Sequence, residues 1–114
     1  VSPDPSVPPL RPAVFHILLA LSTRDLHGLG IADVAEEASE GTVELGPGTL
    51  YRSLSEMRDS GLVRQVDPPE ADADPRRKYY RITDRGRDVL AREASRLVRL
   101  VDTARAQNVL PERA

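Results

Sequence analysis

The 114-residue chain contains no cysteine and no tryptophan, one phenylalanine (Phe15) and one lysine (Lys78). Without cysteine, disulfides and thiolate metal sites are excluded, a composition that fits a reducing cytosol. With aromatics at 4% of residues, the core must be assembled from Leu, Val, Ile and Ala. Long hydrophobic runs are missing too: the longest, Phe15 to Leu21, is interrupted by His16 and falls far short of the roughly 20 residues that span a bilayer. No membrane association is expected. Val1-Ser2-Pro3-Asp4-Pro5 lacks the charged start and apolar stretch of a signal peptide. Catalytic constellations are also absent. The chain has no Ser/His/Asp order, no paired carboxylates in an apolar frame and no HxxxH pattern, and His16 lacks a ligand partner at metal spacing. Gly46-Pro47-Gly48 is a turn rather than a phosphate loop, because no Gly-Lys-Ser/Thr follows. No enzyme, cofactor or metal site is expected.

What is present is charge, unevenly spread. The net charge is −2, which speaks weakly against a nucleic-acid partner. Its distribution speaks for one. Val1 to Leu50 holds two arginines against seven carboxylates, a balance of −5, whereas Arg76 to Arg87 holds six bases against Asp84 alone, a balance of +5. Fields from surface charges reach about 8–10 Å, so the local patch matters more than the total.

The chain divides into a Pro-rich arm over residues 1–9, expected to be disordered or extended, a domain over 10–83, a helix over 84–107 and a tail over 108–114. A first helix is expected from about Arg11 to Ser22, with Pro12 in its opening turn. It is apolar on every side, which calls for burial on more than one face. Thr23 to Leu29 reads as a turn in which His27 bonds local backbone. A second helix, about Gly30 to Ser39, sets Ile31, Val34, Ala35 and Ala38 on one stripe and Asp33, Glu36 and Glu37 off it. Glu40 to Leu45 offers a short extended piece suited to one rung of a small sheet.

The stretch from Leu45 to Val63 has the clearest punctuation. Pro47 opens a helix and Gly61 closes it, with Leu50, Leu54 and Met57 on the anchored side and Arg52, Ser55, Glu56 and Asp59 opposite. Its leading end shows Gly48, Thr49 and Arg52, together with free backbone amides that suit a phosphate. Two strands follow, about Leu62 to Asp67 and Arg77 to Thr83, joined by the polar loop from Pro68 to Pro75. Period two places Tyr80 and Ile82 on one face of the second strand. Thr83 caps a final helix of about 35 Å. In it Leu90, Ala94, Leu97, Val101 and Ala104 recur at coiled-coil spacing, widened by Val98 and Leu100.

The order of elements is that of a winged helix-turn-helix with a long terminal helix, mainly α with a small β wing. The chain resembles the PadR family of bacterial transcriptional regulators. The resemblance covers about Phe15 to Val101. It rests on Ile17-Leu18-Leu19-Ala20-Leu21, His27-Gly28, Pro47-Gly48-Thr49-Leu50-Tyr51, Ser60-Gly61-Leu62-Val63 and Arg77-Lys78-Tyr79-Tyr80-Arg81-Ile82-Thr83 followed by Gly86. The family implies a repressing homodimer that sets its third helix in the major groove of double-stranded DNA and its wing along the backbone or minor groove. Some members bind flat aromatic effectors between subunits, often through Trp, which this chain lacks. It also has Leu29 where Tyr often follows His-Gly, and Arg52 where Pro is common.

The residues and the resemblance together nominate Gly48, Thr49, Tyr51, Arg52, Ser53, Arg76, Arg77, Lys78 and Tyr79 for DNA contact. Phe15, Leu18, Leu90, Ala94, Leu97, Val98, Val101 and Ala104 are nominated for the dimer interface. The acidic N-terminal half motivates a second reading, a winged-helix module that binds protein instead of DNA.

Overall fold

In the computed structural model, which describes residues 4–72 and 74–111, the elements run α1 (Pro12–Ala20), β1 (Leu26–His27), α2 (Gly28–Ala38), α3 (Pro47–Asp59), β2 (Val63–Val66), β3 (Tyr79–Ile82) and α4 (Asp84–Ala106). The expected winged helix-turn-helix with its long last helix is the architecture observed. The sheet is antiparallel in the order β1-β3-β2. Leu26 and His27 pair with Tyr80 and Tyr79, and Val63 to Val66 pair with Ile82 to Tyr79. The third strand is therefore Leu26–His27. Glu40 to Leu45, expected as that rung, instead carries a turn, with Glu40 and Gly41 at positive φ of 53° and 80°.

The core lies where α1, α2 and α3 converge beneath the sheet. Val14, Ile17, Leu18 and Leu21 of the α1 region pack with Ile31 and Ala35 of α2, Leu50, Leu54 and Met57 of α3, and Leu62, Tyr80 and Ile82 of the wing. Each such leucine or isoleucine withdrawn from water contributes about 1.5–3 kcal/mol, which compensates for the scarcity of aromatic rings. Leu18 is wholly enclosed in this core and so is corrected from interface to core residue. On α1 it is Leu19 that points outward, while Phe15 is half-buried.

Two junctions fix α3 and α4 relative to the wing. Gly61, at φ +76°, ends α3 in the left-handed conformation that an L side chain resists, and Leu62 N–H returns to the Met57 carbonyl at 2.8 Å. Thr83 caps α4 by accepting the Gly86 N–H at 3.0 Å, and its hydroxyl faces the Gly61 and Leu62 carbonyls at 2.6 and 3.0 Å. Gly86 crosses the Leu62 carbonyl so closely that a Cβ there would lie 2.2 Å from the oxygen. No side chain fits at that crossing.

The arm, where it is described, contains neither helix nor strand. Asp4 to Val7 form a turn in which Asp4 accepts from the Ser6 backbone and hydroxyl at 2.8 and 2.7 Å, and Leu10 N–H then donates to Glu93 of α4. Glu93 is only 2% exposed and also accepts from Arg96. The Arg96 guanidinium holds its carboxyl below the ordinary value, assisted by the Leu10 N–H and opposed by burial. Residues 1–3 of the expected arm and 112–114 of the expected tail lie outside the described residues.

Beyond this clasp α4 leaves the core. Leu97 and Val101 are 37% exposed and Val98 is 58% exposed, with Leu100 beside them. Of the other nominated seam positions, Leu90 is half-buried against the core, Ala94 is exposed and Ala104 is half-buried.

Candidate nucleic-acid interface

The leading end of α3 is built to stay open. Gly46 precedes it with no side-chain cap, Pro47 occupies the first turn and no acid is present there. The first bond of the helix is Leu50 N–H to the Gly46 carbonyl at 2.9 Å, so the amides of Gly48 and Thr49 have no partner inside the helix. Gly48, Thr49, Tyr51 and Arg52 are all exposed. With the positive end of the helix dipole behind them, these groups favour an anion.

Ser53 does not belong with them. It lies at the interval of three and four residues from Leu50 and Met57 that marks the buried face, and only 4% of it is exposed. The helical period alone would have found this, since one position separates Ser53 from Leu54.

The wing contributes the second half. Arg76, Arg77 and Lys78 are exposed at its tip, and Tyr79 is half-buried behind them. A cavity of about 340 Å³ lies between wing and helix, lined by His27, Gly28, Tyr51, Arg76, Arg77 and Lys78. Tyr51 of α3 and the basic tip thus share one concavity. Gly28 explains how: a Cβ at that position would sit 2.3 Å from the Tyr51 hydroxyl, so its absence admits the phenol against the start of α2.

His27 and Gly28 were not nominated, although their pairing was one of the motifs behind the resemblance. The His27 imidazole packs on the Tyr79 ring with centroids 5.3 Å apart and touches the first turn of α2 near Gly30. Its Nδ1 is buried without a hydrogen bond, so it does not make the local backbone bond expected of it.

Loop residue Asp72 completes the support of the tip. Its side chain is 2% exposed and 3.7 Å from Arg77, and it accepts the Asp74 N–H at 2.8 Å. The Tyr79 phenol beside it, the Asp74 amide, Arg77 and His27 hold its carboxyl below the usual range. Asp72 in turn raises the Tyr79 phenol. Arg77 is thereby steered by a carboxylate, and so is Arg76, whose Nε donates to Asp74 at 3.2 Å although its side chain is 90% exposed; Lys78 is exposed between them and the strand. The described residues contain no group of His, Asp and Glu arranged to hold a metal and no helix long and apolar enough to cross a membrane.

Comparison with known proteins adds to this geometry. The family model described as "Transcriptional regulator PadR-like family" matches residues 17–92. A curated relative, the uncharacterized 37.1 kDa protein in transposon Tn4556 of Streptomyces fradiae, is 34% identical over 84 residues, covering 74% of this chain and 22% of its own length. The chain therefore spans about a fifth of that relative. Among solved structures, a PadR family transcription regulator from Clostridium difficile superposes with a TM-score of 0.67 at 26% identity, over 86% of this chain and 98% of that one. A PadR-like regulator from Bacillus cereus gives 0.70 at 23% identity over 88% and 92%. Bacillus subtilis PadR in complex with operator DNA gives 0.61 at 23% identity over 73% and 46%.

Proposed function

Because the chain belongs to the PadR-like family, whose members are transcriptional regulators and not enzymes, we propose that it is a sequence-specific DNA-binding repressor acting as a homodimer on a pseudo-palindromic operator. The observation that carries this reading is the single concavity shared by Tyr51 of α3 and the basic wing tip. A recognition helix and a wing that grip adjacent DNA must face the same way.

In this mechanism the start of α3 enters the major groove. The Gly48 and Thr49 amides and the Thr49 hydroxyl meet a phosphate, and Arg52 reaches a base edge. A forked contact from Arg52 to guanine contributes about 1–3 kcal/mol of discrimination. Arg76, Arg77, Lys78, Tyr51 and Tyr79 hold the flanking backbone and position without specifying. The exposed apolar face of α4, from Leu97 to Val101, packs against a second copy with the help of Leu90, Ala94, Ala104 and Phe15. Two recognition helices related by a dyad then address half-sites about 34–36 Å apart. The likeness to a relative bound to operator DNA supports the assignment of double-stranded DNA as partner.

The test is binding to the DNA upstream of the chain's own gene, measured by fluorescence anisotropy between about 50 and 200 mM salt. Affinity is expected to fall steeply with salt, and Arg77→Ala with Lys78→Ala together should reduce the logarithmic salt slope by about two. A salt-independent affinity overturns the proposal. The protein-binding alternative draws on the exposed acids Asp33, Glu36 and Glu37 of α2. Retention of a protein partner after charge reversal at Arg77 and Lys78, with no DNA binding in the parent, would favour it.

A further inference from the structure

A second basic concavity lies at the base of the wing. It is a groove of about 510 Å³ between the turn after α1, the two wing strands and the first turn of α4. Four arginines line it, Arg24, Arg64, Arg81 and Arg87, together with two acids, Asp25 and Asp84. The four arginines come from four separate segments, so no basic run in the sequence accounts for their meeting. Arg64 and Arg81 stand directly opposite one another in the β2–β3 register, a like-charge pairing that is unfavourable unless an anion attends it.

Asp25 answers only part of that charge. Its two oxygens accept from Arg81, Nε at 3.0 and 3.2 Å and Nη2 at 2.8 Å, and Arg81 holds its carboxyl low. Arg87 donates from Nη1 to the Ser22 carbonyl at 3.1 Å, which orients the guanidinium without neutralising it. Arg24 and Arg64 have no ion-pair partner among the described residues. The lining is left with two more positive charges than negative ones.

We propose that this groove is an oxyanion site that takes a phosphate group. Arg24 and Arg64 supply the free donors, and Arg81 and Arg87 are held ready by Asp25 and Ser22. Planar guanidinium forks match phosphate oxygens, and two of the four are already ordered before any ligand arrives. The same chemistry serves a free phosphorylated anion or a phosphate of bound nucleic acid, and the experiment separates these sources.

Inorganic pyrophosphate titrated into the full chain should shift the arginine Nε–Hε NMR signals of Arg24, Arg64, Arg81 and Arg87. The double variant Arg24→Gln with Arg64→Gln should weaken that binding about tenfold or more while keeping the parent's Tm. Lys78→Gln, at the other concavity, should leave it unchanged. Absence of shifts, indifference to the double variant, or an equal response at Arg76 and Arg77 as an adventitious ion only would each overturn the proposal. In parallel, unchanged DNA affinity of the double variant identifies a free anion as the source. A sequence-independent loss, with the salt slope reduced by about two, identifies the nucleic-acid backbone. If the parent binds no DNA, the regulator assignment fails and the pyrophosphate titration still decides this one.

Discussion

Helices α3 and α4 are both amphipathic, yet only one is completed by its own chain. The apolar side of α3, Leu50, Leu54 and Met57, is covered throughout by α1, α2 and the sheet, so its polar side is free to act. On α4 the covered stretch stops near Val89 and Glu93, and Leu97, Val98, Leu100 and Val101 remain in solvent. The first helix is fully seated in its domain, and the second keeps an apolar face that the described residues leave uncovered. Under the proposed dimeric reading, contacting DNA and pairing with a second copy are divided between these two helices.

Five tests bear on that contrast, beginning with the largest expected effect. Leu54→Ala should cost about 2–5 kcal/mol of unfolding free energy, read from denaturant titration. Leu97→Glu with Val101→Glu should instead leave a folded chain of half the parent's solution mass in light scattering. If the α4 double variant unfolds the domain, or keeps the parent mass, the division of tasks is wrong.

The two close-packed glycines sharpen the comparison. Gly86→Ala meets the rigid Leu62 carbonyl and should destabilise by about 1–3 kcal/mol. Gly28→Ala meets only the far end of Tyr51. It should leave stability within about 0.5 kcal/mol, displace the phenol and weaken DNA binding. Equal Tm losses in both variants would show that the Tyr51 contact is structural.

Arg52→Ala should relax discrimination at one base pair by about 1–3 kcal/mol without changing the fold, as measured with operator fragments substituted position by position. A uniform loss across all sequences would move Arg52 to the phosphates.

The smallest effect concerns the clasp of Glu93. Its folded pKa is depressed, so its contribution is fully present above the ordinary 4.5 and is lost as pH falls through the lower folded value. Glu93→Gln should be less stable than the parent at neutral pH, with the gap closing as the medium is acidified below about 4.5. A gap of constant size would mean that the charge of Glu93 contributes nothing.

Much of this was legible in the sequence because it is periodic or punctuated. Pro47, Gly61 and Thr83 mark helix ends, and Tyr80 and Ile82 alternate inward as expected. What escaped has physical reasons. Two residues, Leu26 and His27, are too few to show a strand's alternation, and their partner β3 is more than fifty positions away. Because α1 is apolar all round, nothing local distinguished Leu18, which its own chain covers, from Leu19, which it does not. Glu93 reads in the sequence as a solvated charge beside the α4 seam, and its burial is matched by an amide at Leu10, which sequence distance hides. The groove of four arginines is assembled only by the fold. Ser53 was different, since the helical period placed it inward from the start.

The brevity of β1 has a further consequence. Each of its two residues is registered against β3, so a single insertion before Leu26 would exchange Leu26 and His27 between the faces of the sheet and drag the onset of α2 with them. The loop from Asp67 to Lys78 lies outside both ladders. The length of this loop can therefore change without disturbing either ladder, while the two-residue strand at Leu26 has no such freedom.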